Sequence, residues 1–151
     1  VVERISDPEE AARCFVRANA LDPHHYPLPT AVSEVFFREV MSEALENLPL
    51  SVRETMKDVP VLVEDFPSAE LIHGEDISPQ ILGIFIGVPR TQASVTDQMP
   101  DLDRIILFKK NLEKMCQDRE DLIDQIQITV RHEVGHYLGL DEDDLERLGL
   151  A

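Results

Sequence analysis

Two histidines stand four residues apart near the C-terminal end of the chain, and a glutamate directly follows the first. The segment is His132-Glu133-Val134-Gly135-His136. On a helix, residues four apart lie one turn above each other on the same face. Two imidazoles placed in this way can both reach one zinc ion, at about 2.0–2.1 Å each. The pattern therefore predicts a zinc site on a helix, with His132 and His136 as metal ligands.

Glu133 indicates what such a metal would be used for. Next to the first ligand it cannot easily bind the same ion, but it can hold a water molecule that the metal activates. A carboxylate in that position suits a general base, which takes the proton of the water and passes it to a leaving amine. This favours a zinc-dependent peptidase with Glu133 as its catalytic residue. The alternative is a chance match, since histidines on helices are commonly surface or core residues.

A catalytic zinc ion commonly takes three protein ligands and keeps one position open. The predicted helix ends at Gly139, where glycine adopts a left-handed conformation at little cost. An acidic run, Asp141–Asp144, follows and precedes a short final helix. The sequence after His136 predicts no further packed helix that could supply a distant acid, as in thermolysin-like enzymes. We therefore expect the third ligand to come from this acidic turn or from upstream.

Within the acidic turn, Asp141 is expected to cap the final helix with Asp144 as its partner. Glu142, ten positions after His132, is then the favoured third ligand. Asp143 and an upstream acid are the alternatives. The acids could also do no more than stabilise a helix N-terminus, where negative charge is favourable.

The long helix that carries the motif is predicted to begin at Asp118. One of its faces is apolar and should pack on the core, through Ile123, Ile126, Val130 and Val134. Further helices are predicted at residues 8–20 (capped by Asp7), 33–47 and 52–57, a helical turn at 111–116, and strands at 61–63, 81–88 and 104–108. The strand at 81–88 is apolar on both faces, which indicates a buried strand. This order predicts an α+β fold with one modest sheet.

The overall charge limits the classes of partner. Acidic residues number 30 and basic residues 14, a net charge of −16. A nucleic-acid or anionic-membrane ligand requires a cationic surface, so neither is expected. No apolar run approaches the roughly 20 residues that span a bilayer. Two cysteines, Cys14 and Cys116, form no disulfide framework, and we expect them to be reduced and half-buried in helices, as in a cytoplasmic protein.

From about Phe37 onward the sequence resembles the minimal zincins, a family of compact zincin-like metallopeptidase domains. The resemblance rests on the segments 59–65, 82–89, 104–108 and, most specifically, 130–140. The family motif is His-Glu-x-x-His-x-x-Gly-x-x-Asp, whose two histidines and final acid bind zinc. The resemblance implies these roles for His132, His136 and position 142, where this chain has Glu instead of Asp. It also implies a small mixed β-sheet with flanking helices, including a zincin active-site helix.

The chain is predicted to divide into an N-terminal helix with a Pro-rich linker, residues 1–28, and the zincin-like metallopeptidase domain, residues 29–151. The segment from Glu10 to Pro23 resembles the second helix of a tetratricopeptide repeat. A lone repeat cannot bury its apolar face, so an upstream repeat domain is one expected partner and a plain N-terminal helix is the alternative. A homodimer is a further option.

Two readings of function follow. The favoured one is a peptidase whose peptide or protein substrate lies along an edge strand beside the active-site helix. The alternative is a zincin-fold interaction module without catalysis. Tyr137, next to the second histidine, is expected to pack or donate a hydrogen bond nearby. The segment from Pro89 to Asp103 is predicted to be a mobile loop, which together with Arg90 could form a lid or a specificity wall.

Overall fold

A computed structural model describes residues 7–91 and 103–148 of the chain, except for the side chains of Glu142 and Leu148. These residues form seven helices and three strands, which confirms the α+β class. The helices are α1 (Pro8–Leu21), α2 (Glu34–Glu46), α3 (Leu50–Met56), α4 (Ala69–Glu75), α5 (Lys109–Met115), α6 (Arg119–Leu138) and α7 (Glu142–Leu148), and the strands are β1 (Val61–Glu64), β2 (Gly83–Ile86) and β3 (Arg104–Phe108).

The three strands form a mixed sheet, as the family resemblance implied. Their order is β1-β3-β2, and β3 runs parallel to β1 and antiparallel to β2. Ile105–Phe108 of β3 are buried because this strand has a neighbour on each side. The sheet therefore has two edges among the described residues, and β2 forms the edge that packs against α6.

The prediction of a buried strand over residues 81–88 was wrong in two respects. β2 covers only Gly83–Ile86, and all four of its residues are half-buried. The strand ends just before Gly87, whose φ of 146° departs from the extended conformation of a strand. A run of apolar residues indicates that the side chains on both faces of a strand are covered by other elements. It does not reveal whether the strand has a neighbouring strand on both sides or on one side only.

The long helix α6 follows the predicted pattern closely. The Asp118 side chain caps its first turn by accepting a hydrogen bond from the Asp121 N–H at 2.9 Å. Its apolar face is buried against the core: Ile126, Val130 and Val134 are fully buried and Ile123 is partly buried. Each fully buried aliphatic side chain contributes about 1.5–3 kcal/mol. This packing, mainly against α2 and β2, fixes the rotation of α6 about its axis.

Two local features differ from the sequence prediction. No helix was predicted over residues 69–75, but Ala69–Glu75 form α4. This helix is capped by Ser68, whose Oγ accepts from the Leu71 N–H at 3.1 Å, and it ends at Asp76 with a φ of 51°. The helix α5 starts at Lys109, directly after β3, whereas the turn was predicted from residue 111. The first difference comes from the Ser68 cap, which apolar periodicity does not report.

The two cysteines are free, as expected, but neither is half-buried: Cys14 is exposed on α1, and Cys116 is buried at the end of α5. Burial, together with the smaller effect of the nearby carboxylates of Asp121 and Asp118, raises the pKa of the Cys116 thiol to about 11. Cys116 is therefore a neutral thiol at neutral pH. None of the helices in the described ranges has the length and apolar character needed to cross a membrane.

Candidate metal centre

The two histidines of the motif converge at one point on α6. The Nε2 atoms of His132 and His136 are 2.9 Å apart, and their rings meet edge to face with centroids 4.5 Å apart. Both side chains are half-buried, so each combines contact with the protein and access to solvent. Potential ligand atoms of His132, Glu133 and His136 all lie within 4.8 Å of one another. Three of the four residues predicted for the site are therefore brought together.

This donor set fits a zinc ion. Two nitrogens that bind a tetrahedral zinc at about 2.0–2.1 Å lie roughly 3.3 Å apart. The observed Nε2–Nε2 separation of 2.9 Å is slightly shorter, and small rotations of the two side chains would open it by the required amount. Imidazoles together with a carboxylate suit zinc among the common divalent metals. Two observations therefore support a zinc site: the residue types, and the fact that both imidazole rings direct their Nε2 atoms toward the same point.

Glu133 lies on the side of α6 that faces the edge strand. Its side chain is buried, with 7% of its surface exposed. Gly83, the first residue of β2, approaches it closely: a Cβ at Gly83 would lie 3.1 Å from Glu133 Cγ and 2.8 Å from Thr129 Cγ2. The absence of a side chain at Gly83 thus lets β2 pass directly beside Glu133. Sequence analysis missed this role of Gly83, although glycine within a strand pattern can signal a close approach.

The end of α6 follows the sequence prediction. Gly139 adopts the left-handed conformation, with a φ of 77°, and its N–H donates to the His136 carbonyl at 3.0 Å. Asp141 caps the final helix, since its Oδ1 accepts from the Asp144 N–H at 2.8 Å. The Asp141 side chain is thus engaged locally, as expected.

Of the predicted third ligands, Glu142 is the first residue of α7, but its side chain lies outside the described part of the structure. Its role as a ligand stays a prediction. Asp143, the alternative, has an exposed side chain. Asp141 and Asp143 thus differ in their interactions, since Asp141 caps α7 and Asp143 is exposed to solvent.

A family model of zincin-like metallopeptidases matches residues 56–150, which is more than half of the chain and includes every predicted site residue. The chain belongs to the zincin-like metallopeptidase family. No curated protein matches it. The family match begins at residue 56, so it lends no support to the predicted tetratricopeptide repeat, and the boundary at residue 28 stays a prediction.

In this zincin-like domain Tyr137 has a structural role, as expected. It is almost fully buried, its hydroxyl donates to the Thr55 carbonyl at 3.2 Å, and its ring packs edge-on against Phe85 at 5.5 Å. Its own carbonyl accepts from the Arg90 N–H at 3.0 Å, which ties the segment after β2 to the end of α6. Most of the loop predicted as a lid, residues 92–102, lies outside the described residues.

The contact of β2 with α6 predicts how two glycines differ. Gly83→Ala should destabilise the protein by about 1–3 kcal/mol, because the new Cβ would press on Thr129 Cγ2. Adding Thr129→Ser, which removes Cγ2 but keeps the hydroxyl that bonds the Gln125 carbonyl, should recover part of that loss. Gly74→Ala is the matched control, since a Cβ there meets nothing within 4 Å. Urea unfolding measures all four proteins, and equal stability of Gly83→Ala and Gly74→Ala would contradict the account.

Proposed function

We propose that the protein is a zinc-dependent peptidase that hydrolyses peptide bonds with Glu133 as general base. The observation that carries the proposal is the convergence of the two imidazoles and the Glu133 carboxylate within 4.8 Å on one helix. Membership of the zincin-like metallopeptidase family supports the same reaction class. The composition of the site alone would fit several metal-dependent activities, and the family membership narrows these to peptide hydrolysis.

In this proposal His132, His136 and Glu142 hold the zinc ion. Three features favour Glu142 as the third ligand: Asp141 is engaged as a helix cap, Asp143 is exposed, and residue 142 begins α7 only four positions after the end of α6. When bound, zinc lowers the pKa of a water molecule and polarises the carbonyl of the scissile peptide. The chain's own residues must then orient the substrate and move the protons.

Glu133 is placed to move those protons. Its carboxylate is adjacent to both histidines, where it can accept a proton from the attacking water and deliver it to the leaving amine. The close approach of β2 at Gly83 limits the rotamers open to the Glu133 side chain. A base whose side chain is already restricted in this way loses less conformational entropy when it reaches the geometry for proton transfer, which lowers the barrier.

The substrate is expected to lie along β2. This strand forms an edge of the described sheet, so its outer backbone groups can pair with an extended peptide. Because Gly83 lies directly against Glu133 and Thr129, a peptide paired with β2 would pass next to the base. Recognition through backbone hydrogen bonds predicts broad acceptance of peptide sequences, with side-chain preference set by neighbouring surfaces.

Glu133→Gln tests the general base. The substitution should leave the zinc content unchanged and lower peptide hydrolysis by at least about 100-fold, because an amide cannot accept the proton. The matched control is Glu120→Gln, an exposed glutamate in the first turn of the same helix, which should keep full activity. Hydrolysis is followed with a mixture of quenched fluorescent peptides. Undiminished turnover in Glu133→Gln would contradict this role, and zinc binding without turnover in the wild type would support the interaction module instead.

Glu142→Ala tests the third ligand. Zinc per chain, measured by plasma mass spectrometry on protein purified without chelator, should be close to one in the wild type and clearly lower in this variant. Glu146→Ala, which removes an exposed glutamate from the same helix, should retain the wild-type zinc content. Full zinc retention in Glu142→Ala would exclude Glu142 and point to Asp143 or an upstream acid. No zinc in the wild type, even after incubation with added metal, would contradict the proposed function.

A further inference from the structure

Among the side chains that the structure describes in the short helix α7, one apolar side chain attaches the helix to the rest of the domain. Leu145 is fully buried, whereas Asp143, Glu146 and Arg147 are exposed and Asp144 is half-buried. A seven-residue helix has little stability of its own, because so few of its hydrogen bonds offset the cost of nucleation. Among the side chains that the structure describes in α7, the position of the helix therefore depends chiefly on what Leu145 contacts.

Leu145 packs onto Gly135, inside the metal-binding motif. A Cβ at Gly135 would lie 2.0 Å from Leu145 Cδ2 and 3.1 Å from its Cγ, so a residue with a side chain fits at this position only if the buried Leu145 side chain is displaced. Glycine in a helix interior costs about 1 kcal/mol relative to alanine. Its presence in the middle of the last two turns of α6 thus has a packing reason: it provides the space that Leu145 fills.

This contact lies next to the two histidines. At 3.6 residues per turn, Gly135 is about 60° around the helix axis from His132 and about 100° from His136. The main chain also returns to this point, since the Leu140 N–H donates to the Gly135 carbonyl at 3.0 Å. Residue 142 stands three positions before Leu145 in α7, and residues three apart are neighbours on one helical face.

We infer that the Gly135–Leu145 contact positions the first turn of α7 beside His132 and His136, and thereby sets the affinity of the site for zinc. The inference rests on the proposed function, in which residue 142 is the third ligand. Neither Gly135 nor Leu145 offers a ligand atom, so both act as positioning residues. Their effect is on where the backbone of residue 142 is held.

The test measures zinc affinity and fold stability separately. The zinc Kd is obtained by competition with a chromophoric chelator, and the stability of the zinc-free protein by urea unfolding. Leu145→Ala should raise the Kd by at least about tenfold. Leu145→Met, which nearly conserves the volume, should stay within about threefold of wild type. Leu145→Val, a smaller truncation, should give an intermediate Kd and serves if the alanine variant fails to fold.

Leu122→Ala is the matched control. Leu122 is also fully buried but lies in the first turn of α6, far along the helix from the motif. Its truncation should lower the stability of the zinc-free protein and leave the zinc Kd close to that of wild type. If Leu122→Ala weakens zinc binding as much as Leu145→Ala, the effect is one of general stability and the inference is overturned.

A double variant tests the contact itself. Gly135→Ala should also raise the zinc Kd, because the new methyl group displaces Leu145. In Gly135→Ala/Leu145→Ala the clashing atoms are gone, so zinc should bind more tightly than in Gly135→Ala alone, which is coupling between the two positions. Wild-type zinc affinity in Leu145→Ala would overturn the inference and leave the proposed function intact. A wild-type protein that binds no zinc would overturn the proposed function and the inference with it.

Discussion

The geometry of the site depends on the burial of one face of α6. Ile126, Val130 and Val134 are fully buried, and they prevent the helix from rotating about its axis. Because each residue turns the helix by about 100°, fixing Val134 also fixes the directions of its neighbours. Glu133 then faces β2, Gly135 faces α7, and the two histidines occupy the surface between them.

The elements on either side of the histidines have complementary tasks. On one side, β2 approaches Glu133 at a glycine, which brings an edge of the sheet to the proposed base. On the other side, the chain reverses at Gly139 and restarts as α7 under the Asp141 cap. In the proposed function, the strand on one side would bind an extended peptide and the short acidic helix on the other would complete the metal coordination.

Local rules made much of the site predictable from the sequence. The histidine pair follows from the helical repeat, the end of α6 from the preference of glycine for positive φ, and the Asp141 cap from hydrogen bonding within a single turn. What the sequence did not reveal depends on tertiary pairing. The edge position of β2 and the contacts of Gly83 and Gly135 arise between elements distant in sequence, and neither periodicity nor propensity encodes such pairings. Glu142 is an intermediate case: spacing and the family motif select its position, and its ligand role is still a prediction.

The most direct test of the central claim, a zinc centre at His132 and His136, is X-ray absorption spectroscopy at the zinc edge of the zinc-loaded protein. The account predicts nitrogen and oxygen neighbours at about 2.0–2.1 Å, with the outer-shell scattering of two imidazoles. That imidazole signal should fall in His132→Ala and stay unchanged in His73→Ala, which alters a histidine of α4. Sulfur neighbours at about 2.3 Å, or an imidazole signal unaffected by His132→Ala, would contradict it.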